Sequence, residues 1–212
     1  MTPGRDGDAV TDGLTVECAV DFAAVGGRFV EADVLSLPFG EEHFDAVCCH
    51  GVLMYLEEPT EAVARLSGLV APGGVLSVLT RNRRSIGARE ALRGAYEEAR
   101  ALIESGSDAS IGNLGLRTRG DTPEALDALA RDHGLVPLPW QGVRIFHDHL
   151  DDGWRPGEDA YPAALETEWT ASWRSPFRDL ARLVHTVARR RSEGSDGLRP
   201  RSLPAPDDRS RP

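Results

Sequence analysis

Cys48, Cys49 and His50 stand side by side in the stretch AVCCHGVLMYL, Ala46 to Leu56. Three adjacent soft side chains are the raw material of a zinc site, of a thiol nucleophile with a basic partner, or of an ordinary strand end. In an extended chain, neighbouring side chains point to opposite faces, so Cys48 and Cys49 cannot share one metal. Both read as small core residues, and His50, at the carboxyl end of the run, keeps the chemical interest. A second group lies in QGVRIFHDHL, Gln141 to Leu150, where Arg144 has the planar fork that matches a carboxylate or phosphate. Extended alternation puts Arg144 and Phe146 on one face, and Val143, Ile145 and His147 on the other. Arg144 and His147 therefore reach one pocket only if the strand ends or bends near Phe146. The structural alternative is that Arg144 pairs with a nearby acid and His147 caps the strand end. Asp148 and His149 read as structural, and without a third ligand cluster at suitable spacing no metal is expected.

The elements that must position these residues alternate between strand and helix. Residues 28–34 (RFVEADV) predict a strand. Residues 44–52 (FDAVCCHGV) form a near-continuous apolar run, as expected of a strand covered on both faces. Ala62, Val63, Leu66, Leu69 and Val70 share one helical face. APGG at 71–74 stops that helix, and residues 75–80 predict the next strand. REALRGAYEEARALIES predicts one long amphipathic helix. In TPEALDALARDHG, Thr122 is an N-cap, Pro123 occupies the first helical position and Gly134 ends the helix. LVPLPWQGVRIF is a strand interrupted by prolines, YPAALETEWTASW a helix, and LARLVHTVARR a closing strand after a helical turn. This alternation predicts an α/β fold with a parallel sheet, in which ligands bind at the carboxyl ends of the strands. Asp33 and Val34, His50 and Gly51, and Arg81 and Asn82 occupy those ends.

The sequence has 212 residues and a net charge of −10, with every basic side chain an arginine. One folded domain is expected over residues 14–191, between a disordered N-terminus (1–13) and a Pro-, Ser- and charge-rich tail (192–212). No apolar run is long enough to span a bilayer and no signal-peptide core is present, so a cytoplasmic protein is expected. The acidic balance disfavours a generic nucleic-acid binder, leaving RNRR (81–84) and ARRR (188–191) as local basic patches that read as solvated arginines. Three cysteines, two of them adjacent, do not make a disulfide framework.

The segment from Glu31 to Leu79 carries an acid after a strand (Asp33), then LPF, a FDAV strand, an EPTEAVARL helix and L-x-PGG-x-L. In this it resembles the second half of a class I S-adenosylmethionine-dependent methyltransferase. QGVRIFHDHL, LETEW (165–169) and LVHTVARR (183–190) narrow the resemblance to the bacterial tRNA 5-carboxymethoxyuridine methyltransferases, and it covers residues 28–190. The resemblance implies a Rossmann-like doubly wound sheet with S-adenosylmethionine as cofactor. Asp33 would meet the adenine amino group, Val34 the ring through its backbone, and His50 would lie against the cofactor. It also implies tRNA as a partner. No glycine-rich loop follows a first strand, and Glu17 is a poor substitute for the acid that holds the ribose. The N-terminal βα units are therefore expected to be missing, through a misplaced start, a natural truncation or a non-catalytic role in interaction. Loss of those units would bare the edge of the 44–49 strand, and LTVECAV (14–20) is a partial substitute.

If the acceptor is a carboxylate, it is already ionised near neutral pH, so no general base is expected and no catalytic residue is assigned. Arg144 and His147 are the candidates for holding that carboxylate. The alternatives are a small-molecule carboxyl- or O-methyltransferase and a non-catalytic methyltransferase-like domain. Tyr55 and Trp140 are candidate pocket linings or core aromatics.

Overall fold

The computed structural model describes residues 30–40, 43–111, 115–151 and 153–192. Glu17, LTVECAV and both expected disordered ends, apart from Ser192, lie outside them. The chain divides into two units, one ending at Pro38 and one starting at Phe39. In the first unit, the described part of the expected 28–34 strand is not a strand. Asp33 Oδ1 accepts from Leu35 N at 2.8 Å and caps a 3-10 turn, Val34–Ser36. A short acidic side chain that captures the amide two residues on competes with a ladder for the backbone, and here it wins.

The second unit is built on a sheet of β1 (Phe44–His50), β2 (Val70–Arg81), β7 (Leu183–Arg190) and β5 (Leu135–Pro137), in that order, with β6 (Gln141–Val143) also paired to β7. β1 and β2 are parallel, joined through α1 (Pro59–Gly68). β7 runs antiparallel to β2, β5 and β6, so the expectation of a wholly parallel sheet is corrected to a mixed one. A separate two-stranded ribbon pairs β3 (Ala109–Ile111) with β4 (Arg117–Arg119).

α1 starts on Pro59 and buries Ala62, Val63 and Leu66. α4 (Pro123–Asp132) starts as its sequence predicts: Thr122 Oγ1 accepts from Ala125 N at 3.2 Å, and Leu126 and Ala130 are buried. Val63, Leu126 and Ala130 meet Leu76, Val78, Thr186 and Ala188 around one small gap, which identifies the covered face of the sheet. Each fully buried Val or Leu there contributes about 1.5–3 kcal/mol.

Two expectations change at the α1–β2 junction. The helix ends at Gly68, and β2 begins at Val70, taking up the APGG stretch. Phe44 faces Val70 while Ala46 faces Val75, so the extra residues bulge out of the ladder. Gly74 sits there with its missing Cβ position 2.8 Å from the Asp45 carbonyl oxygen. The expected long helix over 89–105 is two, α2 (Ala88–Leu92) and α3 (Tyr96–Ser105), broken where Gly94 takes φ 82°.

β1 is not covered on both faces. Val47 and Cys49 are buried on the α1 side, whereas Ala46, Cys48 and His50 are exposed. Cys48 is thus no core residue, and the apolar run overstated the burial of its strand. α5 (Tyr161–Ser172) follows the 144–150 turn.

Candidate functional site

The strand directions decide which residues share a rim. β2 and β6 both oppose β7, so the carboxyl ends of β1, β2 and β6 point the same way. His50 closes β1, Arg81 closes β2 and Arg144 follows β6. His50 faces Leu79, Leu79 faces His185 and His185 faces Gln141. Three strand spacings, about 14 Å, therefore separate His50 from β6.

A polar row crosses the sheet along that line. Ser77 Oγ lies 2.8 Å from His50 Nε2 and 2.8 Å from His185 Nε2. His185 Nδ1 is 3.4 Å from Gln141 Oε1, and Gln141 Nε2 donates to Ser172 Oγ at 3.5 Å. One hydroxyl has one proton, so the roles are fixed by exclusion. With Nδ1–H of neutral His185 donating to Gln141, its Nε2 accepts from Ser77, and Ser77 accepts Nε2–H from His50. His50 Nδ1 is then left as an acceptor on an exposed side chain. Burial, then the charge of His50, pushes the His185 pKa below its ordinary value, in keeping with a neutral ring. Ser77, His185 and Gln141 carried no role in the sequence reading. Their alignment depends on β7 inserting between β2 and β6, which no local pattern encodes.

Arg144 and His147 part company. β6 ends at Val143 and Arg144 takes φ 63°, the left-handed region that a bulky side chain seldom enters. The chain turns there, earlier than Phe146. Arg144 Nη2 meets Asp148 Oδ1 at 2.7 Å. His147 Nδ1 meets Glu168 Oε1 at 2.8 Å and stacks on Trp154 with centroids 5.1 Å apart. Glu168, from α5, also accepts from Ile145 N at 3.0 Å and Phe146 N at 2.8 Å, so one carboxylate caps the whole turn. The two residues thus have different partners. Asp148, read as structural, is the hub of the region. It is 8% exposed and also meets Arg89 Nε at 3.2 Å and Arg182 Nε at 3.6 Å.

In RNRR, Arg83 and Arg84 are exposed as expected, whereas Arg81 and Asn82 are buried. Arg81 is 3% exposed, donates to Thr118 Oγ1 at 3.1 Å, and has its pKa lowered to about 10 by burial and then by Arg182. Asn82 is fully buried and donates to the Asp179 and Ala181 carbonyls, tying the end of β2 to the approach to β7. Arg84 pairs with Asp179 and Glu124. Trp140 is buried beneath Arg178, 4.3 Å from the ring centroid, and Tyr55 is exposed. A cleft of about 410 Å³ lies along α5, with Phe146, Phe177, Ala171 and Arg174 in its wall.

Asp33 and Val34 lie in the first unit. Asp33 is exposed, and the amide of Leu35 is held by one oxygen of its carboxylate. The other oxygen has acceptor capacity for an amino group. Gly51, next to His50, has φ 72° and open space around it. Among the described residues, no three His, Cys, Asp or Glu side chains gather into a metal-holding group, and no helix is long and apolar enough to cross a membrane.

Residues 14–78 match a family model described as a methyltransferase domain. The tRNA 5-carboxymethoxyuridine methyltransferase of Escherichia coli K12 is 25% identical over 150 residues, covering 71% of this chain and 56% of the relative. The chain thus spans little more than half the length of that relative. An uncharacterized methyltransferase, Rv0089 of Mycobacterium tuberculosis H37Rv, is 39% identical over 59 residues, 28% of this chain and 30% of that protein. Among solved structures, the 1,6-didemethyltoxoflavin-N1-methyltransferase of Burkholderia thailandensis, bound to 1,6-didemethyltoxoflavin and S-adenosylhomocysteine, aligns with a TM-score of 0.48. It is 16% identical, with 84% of this chain and 57% of that one covered.

Proposed function

We propose that this chain performs S-adenosylmethionine-dependent methyl transfer in the cytoplasm, with the carboxylate of a modified wobble uridine in tRNA as acceptor. The observation that carries the reading is the methyltransferase match over residues 14–78, which contains Asp33, Val34 and His50. The similarity over 150 residues to the E. coli enzyme supports the choice of acceptor.

Asp33 accepts from the adenine amino group, Val34 meets the ring through its backbone, and His50 borders the cofactor. When bound, S-adenosylmethionine supplies an electrophilic methyl group. The chain's own residues orient the acceptor and strip water from it. Arg144 holds the acceptor carboxylate with its guanidinium fork, and His147, held apart from it by Glu168 and Trp154, is a second candidate for contact with the substrate. A carboxylate is ionised near neutral pH, so no residue has to remove a proton.

Calorimetric titration of the folded chain with S-adenosylmethionine tests the cofactor. Absence of binding would overturn the enzyme reading. Methyl incorporation into tRNA bearing the free uridine carboxylate, and none into unmodified tRNA, is the expected outcome for the acceptor.

The polar row supports a second reading, methylation of a small-molecule hydroxyl. His50, backed by Ser77 and His185, has an acceptor nitrogen to take a hydroxyl proton. A rate that rises with pH through the histidine range would favour this reading over the carboxylate one.

A further inference from the structure

The arginines around Asp148 outnumber the acids. Arg89, Arg144 and Arg182 all meet this one carboxylate. Arg81 and Glu90 lie within electrostatic reach, making four guanidiniums against two carboxylates among the described residues. Arg81, Arg89 and Arg182 are all mostly buried, so bulk water screens three of the four guanidiniums only weakly. Arg81 Nη2 is buried and finds no hydrogen-bond partner among the described residues. Glu90 Oε2 and Asp148 Oδ2 are also buried without a hydrogen-bond partner, so the imbalance rests on the charge count, two more guanidiniums than carboxylates.

Arg144 differs from the other three. Its side chain is 51% exposed, and Asp148 would still have Arg89 and Arg182 without it. Its backbone is nevertheless pinned: the Arg144 carbonyl accepts from Arg182 N at 3.1 Å, and the next two amides are held by Glu168. A fixed backbone in the left-handed region with an exposed, surplus guanidinium is an arm held in place for something outside the fold. It stands where β6 ends, on the rim shared with His50.

We propose that Asp148 is an internal stand-in for an external oxyanion, a carboxylate or a phosphate, and that Arg144 exchanges Asp148 for that oxyanion when ligand binds. Arg89 and Arg182 retain Asp148, so the exchange leaves no acid unpaired, and the incoming charge offsets the surplus. The site stands on the charge count and the geometry. Only the identity of the anion as an acceptor carboxylate rests on the methyl-transfer reading.

The test is calorimetric titration of the full chain, in low salt without phosphate, with four probes: 5-carboxymethoxyuridine, its methyl ester, uridine 5′-monophosphate and uridine. The expected result is at least tenfold tighter binding of the carboxylate, the phosphate or both than of uridine. R144Q should lose that advantage at an unchanged melting temperature, since the side chain is exposed. A preference for the nucleoside carboxylate over its ester identifies the carboxylate as the source, and a preference for the monophosphate identifies the phosphate. D148N should bind the preferred anion more tightly than wild type. If D148N fails to fold, R144K decides instead: it keeps the charge but not the fork and should recover only part of the affinity. Equal binding of all four probes, or wild-type affinity in R144Q, would overturn the proposal. Parallel titration with S-adenosylmethionine separates the two readings: anion binding without cofactor binding removes the methyl-transfer reading and leaves the site standing.

Discussion

His50 and His185 share one hydroxyl: each presents Nε2 to Ser77 Oγ at 2.8 Å, with ring centroids 5.7 Å apart and nearly perpendicular. A histidine on the exposed end of β1 is thereby tied to one on β7, although the two strands are not paired. Replacing Ser77 with alanine cuts both bonds at once. We expect a loss of about 1–2 kcal/mol in urea unfolding. The ring nitrogens should also change, because His50 Nε2–H and His185 Nε2 lose their common partner. Unaltered imidazole nitrogen resonances in the variant would rule out the shared hydroxyl.

His185 also makes stability depend on pH. Its folded pKa lies below the ordinary 6.5, through burial and then His50, so the unfolded chain takes up a proton more readily. The contribution is fully present above about pH 6.5 and is lost as pH falls through that value toward the folded pKa. The melting temperature of wild type should therefore drop more steeply from pH 7 to pH 5 than that of His185→Gln. Parallel pH profiles for the two proteins would contradict the assignment.

Much of this arrangement was legible beforehand, and the exceptions have a common cause. Thr122, Pro123 and Gly134 mark out α4 because capping is local chemistry. His50 falls at a strand end because β1 can be read from its run of apolar residues, whereas β6 stops at Val143, short of the expected end near Phe146. Cys48, Arg81 and Asp148 could not be read this way. Whether Cys48 is covered depends on what lies over the sheet. Arg81 is buried by the 118 and 182 segments, and Asp148 is a hub only because α2 and the segment leading into β7 bring arginines to it. Local periodicity has no access to partners 30 to 100 residues away.

Glu168 is the keystone of the 144–147 turn, with three acceptor contacts to Ile145 N, Phe146 N and His147 Nδ1. Glu168→Ala leaves two amides and an imidazole without their acceptor. We expect a cost of roughly 1–3 kcal/mol by chemical denaturation, and faster amide exchange at Ile145 and Phe146 than in wild type. Wild-type exchange at those two amides would argue that the turn is held by other means.

Gly142 lets β6 close on the segment that leads into β7. A Cβ there would stand 2.6 Å from the Arg178 carbonyl oxygen and 2.7 Å from the Ala181 Cβ, against backbone that has nowhere to yield. Gly142→Ala should destabilise by about 1–3 kcal/mol. Because Arg144 is only two residues on, the same variant should also weaken oxyanion binding. A neutral effect on the urea midpoint would mean that the close approach is relaxed in solution.

The two neighbouring thiols of β1 lie on opposite sides of the sheet, Cys48 exposed and Cys49 buried, with the Cys49 pKa raised by burial. A thiol reagent thus meets two clocks on adjacent residues. Cys48 is open to modification in the native state. Cys49 reacts only when β1 separates from α1, so its labelling rate counts opening events of the sheet itself. Mass spectrometry of the single peptide that carries both would report, on one molecule, what approaches the bare face and how often the covered face lets go.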